Sequence, residues 1–331
     1  MMPASTMRCF AARALVVLCT FGCVSVQNAP AKSDWLERHT DTALRVLVWN
    51  VDRKFFSDNT AFQRILRAVN ADLLILDEMP GGVSADSIAG GLPATREPWH
   101  VLYGIGGGAH QRASIAAHQP LQRNSEFDRL TYPTDRFARW LAPVRADRQE
   151  RARDALAAGV AAVGGIIEVN GRRVLVVGVD LQCCGDGIDS PEEDRRQFES
   201  LAIRKAINDI AGAQKIDAMI VGGDFNTVNG NAPISIMQRG ATQSTLLVPA
   251  KVYHRGSDAR WTWDGRGTPF PSSQIDYVLY SDRMVVLRSQ VFDTEDLAPS
   301  LLLALGVDAQ LSRSLSPHRP VVLDLGWSSS R

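Results

Sequence analysis

The feature that most constrains this chain is a series of short apolar runs, rich in Val, Ile and Leu, that recurs from residue 44 to residue 325. Each run has the length and composition of a β-strand, and segments with helical periodicity separate several of them. Strands that alternate with helices predict an α/β fold. The predicted strands cover residues 44–49, 73–76, 114–117, 160–169, 173–179, 218–221, 275–280, 284–291 and 320–325.

Three local patterns refine this prediction. The sequence AFQRILRAV at 61–69 places its large apolar residues on one helical face, and SPEE at 190–193 is the capping box of a helix that extends to about residue 210. Asn170-Gly171 is typical of the tight turn of a β-hairpin, which joins two antiparallel strands. We therefore expect mixed sheets, not a purely parallel one, within a single domain at 41–326.

The first 31 residues have the outline of a secretory signal peptide. Arg8 and Arg13 precede a short apolar run that contains no acidic residue, and a small-x-small pattern ends at Ala31. A lipoprotein signal that ends before Cys23 is the alternative. The predicted organisation is a signal peptide at 1–31, a linker at 32–40, a domain at 41–326 and a tail at 327–331. It implies export, with the protein periplasmic, secreted or lipid-anchored at a bacterial envelope.

Charge excludes one mode of binding. The chain has 36 Lys and Arg and 36 Asp and Glu, so its formal net charge is zero. Without residues 1–31 the balance is 34 to 36. The global positive field that drives non-specific binding of nucleic acids is therefore missing, and an anionic partner has to be met by a local patch.

Cysteine use argues against a disulfide scaffold. Three of the five cysteines fall within the first 31 residues, which leaves the adjacent pair Cys183 and Cys184. Consecutive Cα atoms are closer together than an ordinary disulfide requires. We expect both residues to be buried as small hydrophobic side chains. A vicinal disulfide or a pair of metal ligands is the alternative.

Polar side chains stand at the ends of the predicted strands. If the last two strands run opposite to the others, all of these ends meet at one edge of the fold. Carboxylates gathered there would repel one another and would be costly to bury unless they were paired or bound to a metal, so we expect them to serve chemistry. The residues are Asn50, Asp52, Asp77, Glu78, Asp180, Asp224 and Asn226 at strand ends, and Asp276 and His318 at strand beginnings.

The residue types indicate which chemistry this is. Oxygen ligands from Asp, Glu and Asn suit Mg²⁺, Mn²⁺ or Ca²⁺, whereas a single His without a set of cysteines argues against structural zinc. A His beside an Asp can act as a base or as an imidazolium. Such a site is best suited to a phosphate ester, because the cation neutralises its charge, amide and imidazolium groups donate to its oxygens, and a carboxylate orients water.

Six motifs, in this order, resemble the endonuclease/exonuclease/phosphatase superfamily, which includes secreted DNases, abasic-site endonucleases, sphingomyelinases and inositol-polyphosphate 5-phosphatases. They are LRVLVWNVD, ILDEMP, VVGVDLQ, VGGDFNT, SQIDYVLYS and LSPHRPVVLDL, and they span residues 44–325. The resemblance implies a DNase I-like fold, a four-layer αββα sandwich of two mixed β-sheets flanked by helices.

The resemblance also implies roles for single residues. Asn50 and Asp52 would support the metal and the phosphate, and Glu78 would be the principal Mg²⁺ ligand. Asp224 would orient or activate the attacking water, while Asn226 would donate to the phosphate. His318, held by Asp276, would stabilise charge on the phosphoryl oxygens.

Two positions depart from the family pattern. Asp180 stands where the family usually has His or Tyr, and Pro317 stands where it has an Asp that often binds metal. In one interpretation Asp180, acting as an acid or ligand, returns the negative charge that Pro317 removes. In the other, the site has lost activity.

We therefore predict an exported phosphoesterase, dependent on Mg²⁺, Mn²⁺ or Ca²⁺, that hydrolyses phosphodiester bonds by a metal-aligned water. Its substrate would be nucleic acid, a lipid headgroup or a small phosphodiester. No stable protein partner is implied, we expect a monomer, and membrane attachment follows only if Cys23 is lipidated. The alternative is a catalytically impaired family member that serves as a binding or scaffold protein at the cell envelope.

Overall fold

A computed structural model describes residues 36–108, 112–128, 130–132, 146–185, 187–242 and 245–329. The predicted signal peptide at 1–31, with Cys23, lies outside these ranges, and the predicted linker and tail are described only in part. Export and lipidation therefore stay predictions. Within the described ranges, no helix combines the length and the apolar character needed to cross a membrane.

The strands and helices have the following bounds. The strands are β1 Leu44–Asn50, β2 Leu73–Asp77, β3 His100–Tyr103, β4 Ser114–Ala117, β5 Gln122–Arg123, β6 Ala162–Val169, β7 Arg172–Asp180, β8 Ala218–Asp224, β9 Leu247–Pro249, β10 Asp276–Ser281, β11 Met284–Val291 and β12 Val321–Trp327. The α-helices are α1 Asn59–Val69, α2 Ala85–Gly91, α3 Ala146–Ala158, α4 Pro191–Ala213, α5 Ala232–Gln238, α6 Pro299–Leu305 and α7 Leu311–Leu315. Short 3₁₀ turns cover Ser125–Phe127 and Thr294–Asp296.

The strands form two six-stranded sheets. The first sheet has the order β11-β12-β1-β2-β4-β3, and the second has the order β5-β6-β7-β8-β10-β9. The pairs β1–β2 and β7–β8 are parallel, and the other pairs are antiparallel. The predicted sandwich of two mixed sheets flanked by helices is confirmed.

The local patterns are also borne out. Asn170 and Gly171 adopt positive φ angles of 53° and 73° and join β6 to β7, as the hairpin turn requires. Ser190 caps α4, since its Oγ accepts the backbone N–H of Glu193 at 3.2 Å. The reciprocal half of the capping box is not made by Glu193, because its carboxylate binds Arg196 instead.

Every predicted strand is present, with ends that differ by up to three residues. The sequence analysis did not predict the short elements, namely β3, β5, β9, α2, α5, α6 and α7. These elements have between two and seven residues.

Side-chain alternation fixes which strand residues face the space between the sheets. Val46 and Val48 of β1 lie in the apolar core there, together with Ile75 of β2, Val176 of β7 and Ile220 of β8. Since successive residues of a strand point to opposite faces, Asn50, two positions after Val48, also points inward. This places polar residues at the end of the inner core, where the strands stop.

Helices cover the outer faces. Phe62 of α1 packs on Trp49, which points outward from β1, with ring centroids 4.7 Å apart. On the second sheet, Ile203 and Ile207 of α4 pack in a separate apolar core with Leu175 of β7. Both sheets are therefore fixed on their outer sides as well as against each other.

Candidate active site

Strand pairing gathers the predicted polar residues at one edge. Asn50 at the end of β1 is paired with Asp77 of the parallel strand β2, and Asp180 at the end of β7 is paired with Asp224 of the parallel strand β8. Asp276 begins the antiparallel strand β10 and is also paired with Asp224. The opposite direction of β10 and β12 is confirmed, which is what the convergence required.

Two glycines of the VGGDFNT motif allow the sheets to meet at this edge. A Cβ at Gly222 would lie 2.7 Å from Cγ2 of Val48, so only a glycine permits this approach of β8 to β1. Gly223 has a φ of 143°, and a Cβ there would lie 1.8 Å from the carbonyl oxygen of Val179. These glycines bring Asp224, which follows them, against the first sheet.

Asn50 links the two sheets directly. Its side-chain Nδ2 donates to Oε1 of Glu78 and to Oδ2 of Asp224, each at 3.1 Å. Its Oδ1 accepts the backbone N–H of Asp52 at 3.0 Å. Asn50 therefore orients two carboxylates that come from different sheets, which the sequence pattern alone did not predict.

His318 lies between two carboxylates. Its Nδ1 is 3.0 Å from Oδ2 of Asp276, and its Nε2 is 3.9 Å from Oδ2 of Asp224. Burial disfavours the imidazolium, but Asp276 and Asp224 outweigh burial and raise the pKa of His318 to about 9. The imidazole is therefore charged at neutral pH and can donate from Nε2.

The backbone of His318 is held by residues to which the sequence analysis assigned no role. Nε1 of Trp49 donates to the His318 carbonyl oxygen at 3.0 Å. Oγ of Ser316 accepts the His318 backbone N–H at 3.0 Å and donates to the Asn50 carbonyl oxygen at 2.8 Å. Ser316 was visible in the LSPHRP motif, but its bridging position depends on how β12 meets β1.

Asp276 is held in place through hydrogen bonds to its backbone. Oγ1 of Thr262 accepts the backbone N–H of Asp276 at 2.9 Å and that of Ile275 at 3.1 Å. The loop that carries Thr262 also pairs Trp263 with His318 in an isolated β-bridge. The His318–Asp276 pair is therefore held by three separate segments of the chain.

The acidic cluster consists of Asp77, Asp180, Asp224 and Asp276, all at most 2% exposed. Burial raises the pKa of Asp224 to about 7, Asp276 adds to the rise, and His318 opposes it. Burial, followed by the neighbouring acids, also raises the pKa values of Asp77 and Asp180 well above their ordinary range. This is the behaviour of carboxylates that lack a compensating cation.

Asp77 is the member of this cluster to which sequence analysis gave no role. Neither of its side-chain oxygens has a hydrogen-bond partner among the described residues, and the same holds for Oδ2 of Asp180. The Asp224 backbone N–H lowers the Asp77 pKa slightly, yet falls short of hydrogen-bond geometry. Its signal in the sequence was its position at the strand end directly before Glu78.

Glu78 and Asp52 lie at the outer rim of the cluster. Their side chains are 27% and 24% exposed, so they are open to solvent where the acidic cluster is not. Arg53 lies 3.5 Å from Glu78 and 3.6 Å from Asp52, and Lys54 lies 2.8 Å from Asp52. Asp52 is therefore joined to Glu78 through Arg53.

Asn226 follows β8 and turns back toward β7. Its Nδ2 donates to the Leu181 carbonyl oxygen at 2.9 Å, and its backbone N–H donates to Oδ1 of Asp224 at 2.8 Å. Because an amide nitrogen carries two hydrogens, one remains for the phosphate contact that the family resemblance implies. One donor hydrogen is nevertheless committed to positioning the loop after Asp180.

The prediction for the cysteine pair is wrong. Cys184 is exposed and Cys183 only half-buried, where two buried hydrophobic side chains were expected. The physical reason is that β7 ends at Asp180, so the chain has left the sheet and its apolar cores before it reaches these residues.

The arrangement fits a hard divalent cation. Potential ligand atoms of Asp224, Asp276 and His318 all lie within 4.8 Å of one another, and Asn50 connects them to Glu78. The donors are mainly carboxylate oxygens, which are the ligands preferred by Mg²⁺, Mn²⁺ and Ca²⁺. The neighbouring Asp77 and Asp180 add buried carboxylate oxygens that have no hydrogen-bond partner among the described residues. The identity of the ion is not fixed by this geometry.

Comparison with solved structures shows the same fold in several proteins. An endonuclease/exonuclease/phosphatase from Beutenbergia cavernae has a TM-score of 0.57 and 17% identity, with 86% of this chain and 71% of that chain covered. The 3′ phosphatase NExo from Neisseria, solved with a product DNA hairpin, gives 0.53 and 17%, with coverage of 86% and 100%. The human Nocturnin catalytic domain, solved with a sulfate anion, gives 0.54 and 14%, with coverage of 86% and 94%.

The comparison with curated proteins found no match. A profile of the Endonuclease/Exonuclease/phosphatase family, by contrast, matches residues 47–318, which include every polar strand end described above. Enzymes of this family are generally dependent on divalent metals, in agreement with the buried carboxylates of the cluster. With the two mixed sheets, the polar edge and this match taken together, the chain belongs to the Endonuclease/Exonuclease/phosphatase family.

Proposed function

We propose that this protein is an exported, divalent-metal-dependent phosphodiesterase. The observation that carries the proposal is the connection of Glu78, Asn50, Asp224 and His318 by successive contacts at the edge where both sheets end. These groups come from distant parts of the chain. At the same edge, both side-chain oxygens of Asp77 and Oδ2 of Asp180 are buried without hydrogen-bond partners among the described residues, which favours a bound cation over a structural role.

Glu78 is best placed to hold the cation, because its carboxylate is oriented by Asn50 and remains open to solvent. Asp52 lies nearby at the same rim, and Asn50 acts mainly by orienting the carboxylates of Glu78 and Asp224. A divalent cation bound there would neutralise charge on the phosphate ester and favour ionisation of an attacking water.

Three side chains of the protein serve the remaining steps of the reaction. Asp224, with its pKa raised to about 7, can accept a proton from water near neutral pH. His318, kept charged by Asp276, can donate from Nε2 to a phosphoryl oxygen as negative charge develops there. The free hydrogen of Asn226 Nδ2 supplies a second donor.

The choice of substrate rests on local charge. The chain has no net charge, yet Arg53 and Lys54 stand at the rim beside Glu78 and Asp52. The two positively charged side chains at the rim can contact one or two phosphate groups, which suits a phosphodiester of nucleic acid, lipid or small-molecule origin. Support for nucleic acid comes from the DNA hairpin product bound by NExo.

The test is hydrolysis of a chromogenic bis-aryl phosphodiester by the purified protein with Mg²⁺ or Mn²⁺. We expect turnover that EDTA abolishes and that Glu78→Ala lowers by at least about 100-fold. Glu168→Gln is the matched control. Glu168 is exposed and lies near the hairpin turn, at the opposite end of β6 from Ala162, which is paired with Val179 beside Asp180. Hydrolysis that survives both EDTA and Glu78→Ala would contradict the proposed site.

A second measurement does not depend on turnover. A cation that binds the folded protein alone raises the unfolding temperature, and at about 100 times its dissociation constant contributes about 2.7 kcal/mol. We expect Mn²⁺ to raise the unfolding temperature of the wild type and of Glu168→Gln, but not of Glu78→Ala. Stabilisation by metal without hydrolysis would favour the alternative of a catalytically impaired binding protein, to which Asp180 and Pro317 point.

A further inference from the structure

Cys183 and Cys184 lie on the segment that leaves β7 directly after Asp180. Cys184 is exposed and Cys183 is half-buried, and their Sγ atoms are 2.8 Å apart. The two thiols therefore contact each other at the edge of the fold that carries the acidic cluster. Neither residue has a role in the phosphodiesterase proposed above.

Two side chains of α4 hold the backbone around this pair by hydrogen bonds. Nη1 of Arg196, a fully buried residue, donates to the carbonyl oxygens of Gln182 at 3.0 Å and Cys184 at 2.7 Å. The Gln182 backbone N–H donates to Oε2 of Glu199 at 2.8 Å. Cys184 has a φ of 71°, in the left-handed region that non-glycine residues rarely adopt, so these contacts hold a strained conformation.

The two thiols differ in reactivity. The contact with Cys183 lowers the pKa of Cys184 to about 7, Arg196 lowers it further, and partial burial opposes both effects. The same contact, followed by burial, raises the pKa of Cys183. An exposed thiol with a low pKa beside a thiol with a high pKa is the arrangement of an attacking cysteine and a resolving cysteine.

We propose that Cys183 and Cys184 form a thiol–disulfide exchange site that cycles between a dithiol and a vicinal disulfide, with a low-molecular-weight disulfide as the oxidant. The Cys184 thiolate attacks one sulfur of that disulfide, which forms a mixed disulfide and releases one thiolate. The Cys183 thiol then loses its proton to solvent and attacks Sγ of Cys184, which releases the second thiolate. Two electrons pass from the protein to the oxidant.

Geometry explains why the exchange is reversible. Consecutive Cα atoms are about 3.8 Å apart, whereas ordinary disulfides span at least about 4.4 Å. A bond between neighbours is therefore strained, and strained exposed disulfides are the easily reduced ones. The Cα spacing that argues against a permanent structural bridge thus favours a labile one.

The segment is also tied to the acidic cluster. The Leu181 backbone N–H donates to the Asp224 carbonyl oxygen at 2.8 Å, and its carbonyl oxygen accepts Nδ2 of Asn226 at 2.9 Å. Closing the disulfide changes the backbone at Cys183 and Cys184, which lie two and three residues beyond Leu181. We expect oxidation to reduce phosphodiester hydrolysis several-fold, a consequence that rests on the proposed function, whereas the exchange itself does not.

The experiment is incubation of the full-length protein with oxidised glutathione, followed by acid quench, trypsin digestion and mass spectrometry. Residues 174–195 form one tryptic peptide that contains both cysteines and none of the other three. We expect this peptide to lose two hydrogen atoms, to carry no glutathione, and to return to the dithiol mass on treatment with dithiothreitol.

Two variants separate the roles of the thiols. In Cys183→Ala, the peptide is expected to retain glutathione on Cys184, because the resolving thiol is missing. In Cys184→Ala, Cys183 is expected to react at least about tenfold more slowly than Cys184 does in the wild type, because it is half-buried and burial still favours its thiol form after the contact with Cys184 is lost. Circular dichroism of both variants checks that they fold.

Three outcomes would overturn the proposal: an unmodified wild-type peptide, a stable mixed disulfide in the wild type, or a disulfide between two protein molecules. Peptide masses report on the exchange without any substrate. If hydrolysis is undetectable in every form while the intramolecular disulfide appears, the proposed function fails and the exchange site stands.

Discussion

Two groups of buried aspartates lie side by side in this protein and differ in the number of positive charges that face them. The paired cluster consists of Arg319, Asp264 and Asp293, in which Arg319 lies 2.6 Å from Asp293 and 2.9 Å from Asp264. The acidic cluster has only His318 as a buried cation among the described residues. His318 and Arg319 are consecutive, so a single step along the chain separates the acids paired with arginine from four acids that share one imidazolium.

Burial does not explain the difference. Asp264 is 6% exposed and Asp224 is 1% exposed. Burial acts to raise the pKa of Asp264, yet Arg266 and Arg319 lower it to about 2, whereas the pKa of Asp224 rises to about 7. Burial raises the pKa of Asp293 although Arg319 contacts it, so one arginine is not enough there. The comparison teaches that an acid faced by two arginines, such as Asp264, is balanced within the fold, while the acids at the strand ends favour a ligand from outside.

The largest effect is expected in the paired cluster. Arg319→Met leaves two buried aspartates without their shared partner, and should lower the free energy of unfolding by about 3–5 kcal/mol. Asp77→Asn in the acidic cluster is the contrast, because it removes a charge that repels its neighbours; it should raise the stability of the metal-free protein by about 1 kcal/mol. Urea denaturation in EDTA measures both.

The comparison would fail if the two variants changed stability in the same direction. A loss of stability in Asp77→Asn similar to that in Arg319→Met would mean that the acidic cluster is held together by contacts of its own, like the paired cluster.

Asp224→Asn should affect activity and not stability. Removing the group that accepts a proton should lower hydrolysis of the bis-aryl phosphodiester by at least about 100-fold, while urea denaturation in EDTA should show unchanged or slightly increased stability. Asp264→Asn is the matched control, with the opposite pattern of lower stability and preserved activity per folded molecule. Equal losses of activity in the two variants would place Asp224 outside the reaction.

Acidic pH should remove the stability that Asp264 contributes to the paired cluster. The pKa of Asp264 is about 2 in the folded protein and about 3.9 in an unfolded chain. Its stabilising contribution of about 2 kcal/mol is therefore present above about pH 4 and is lost as the pH falls toward about 2. Unfolding of wild type and Asp264→Asn should differ at neutral pH and converge in acid; a constant difference would show that pairing of the charge is not the cause.

The smallest effect is expected at Asp180. Asp180→His restores the residue usual in the family and removes one acid from the cluster, so the rate or the preference between Mg²⁺ and Mn²⁺ should change by about tenfold. Steady-state kinetics with each cation is the measurement. An unchanged rate and an unchanged metal preference would place this residue outside the site.

Sequence analysis identified the polar strand ends because the pattern that marks them lies within a few consecutive residues. A run of β-branched residues followed by Asp or Asn marks both a strand and the edge where its last side chain emerges, as at Asn50 and Asp224. The resemblance to the family then supplied roles for these residues, which stay proposals until they are tested.

The positions that sequence analysis missed depend on how the two sheets meet. Asp77 was predicted to lie among the polar strand ends, but the acids that surround it depend on which strands lie opposite β2, and the bridge made by Ser316 exists only because β12 lies beside β1. The exposure of Cys184 follows from where β7 ends relative to the apolar core. The acids that surround Asp77 and the two segments that Ser316 bridges are far apart in the chain, so no window of ten residues shows these contacts.

The amino-acid order by itself determined the nine predicted strands, the hairpin at Asn170, the cap at Ser190 and the family to which the chain belongs, because each depends on short-range preferences or on motif order. Tertiary structure alone decided which acids are paired. Whether an aspartate meets an arginine, as Asp264 does, or only other acids, as Asp77 does, is set by contacts between segments far apart in the chain. Electrostatic energy depends on those distances and on burial, and neither is written in the local sequence.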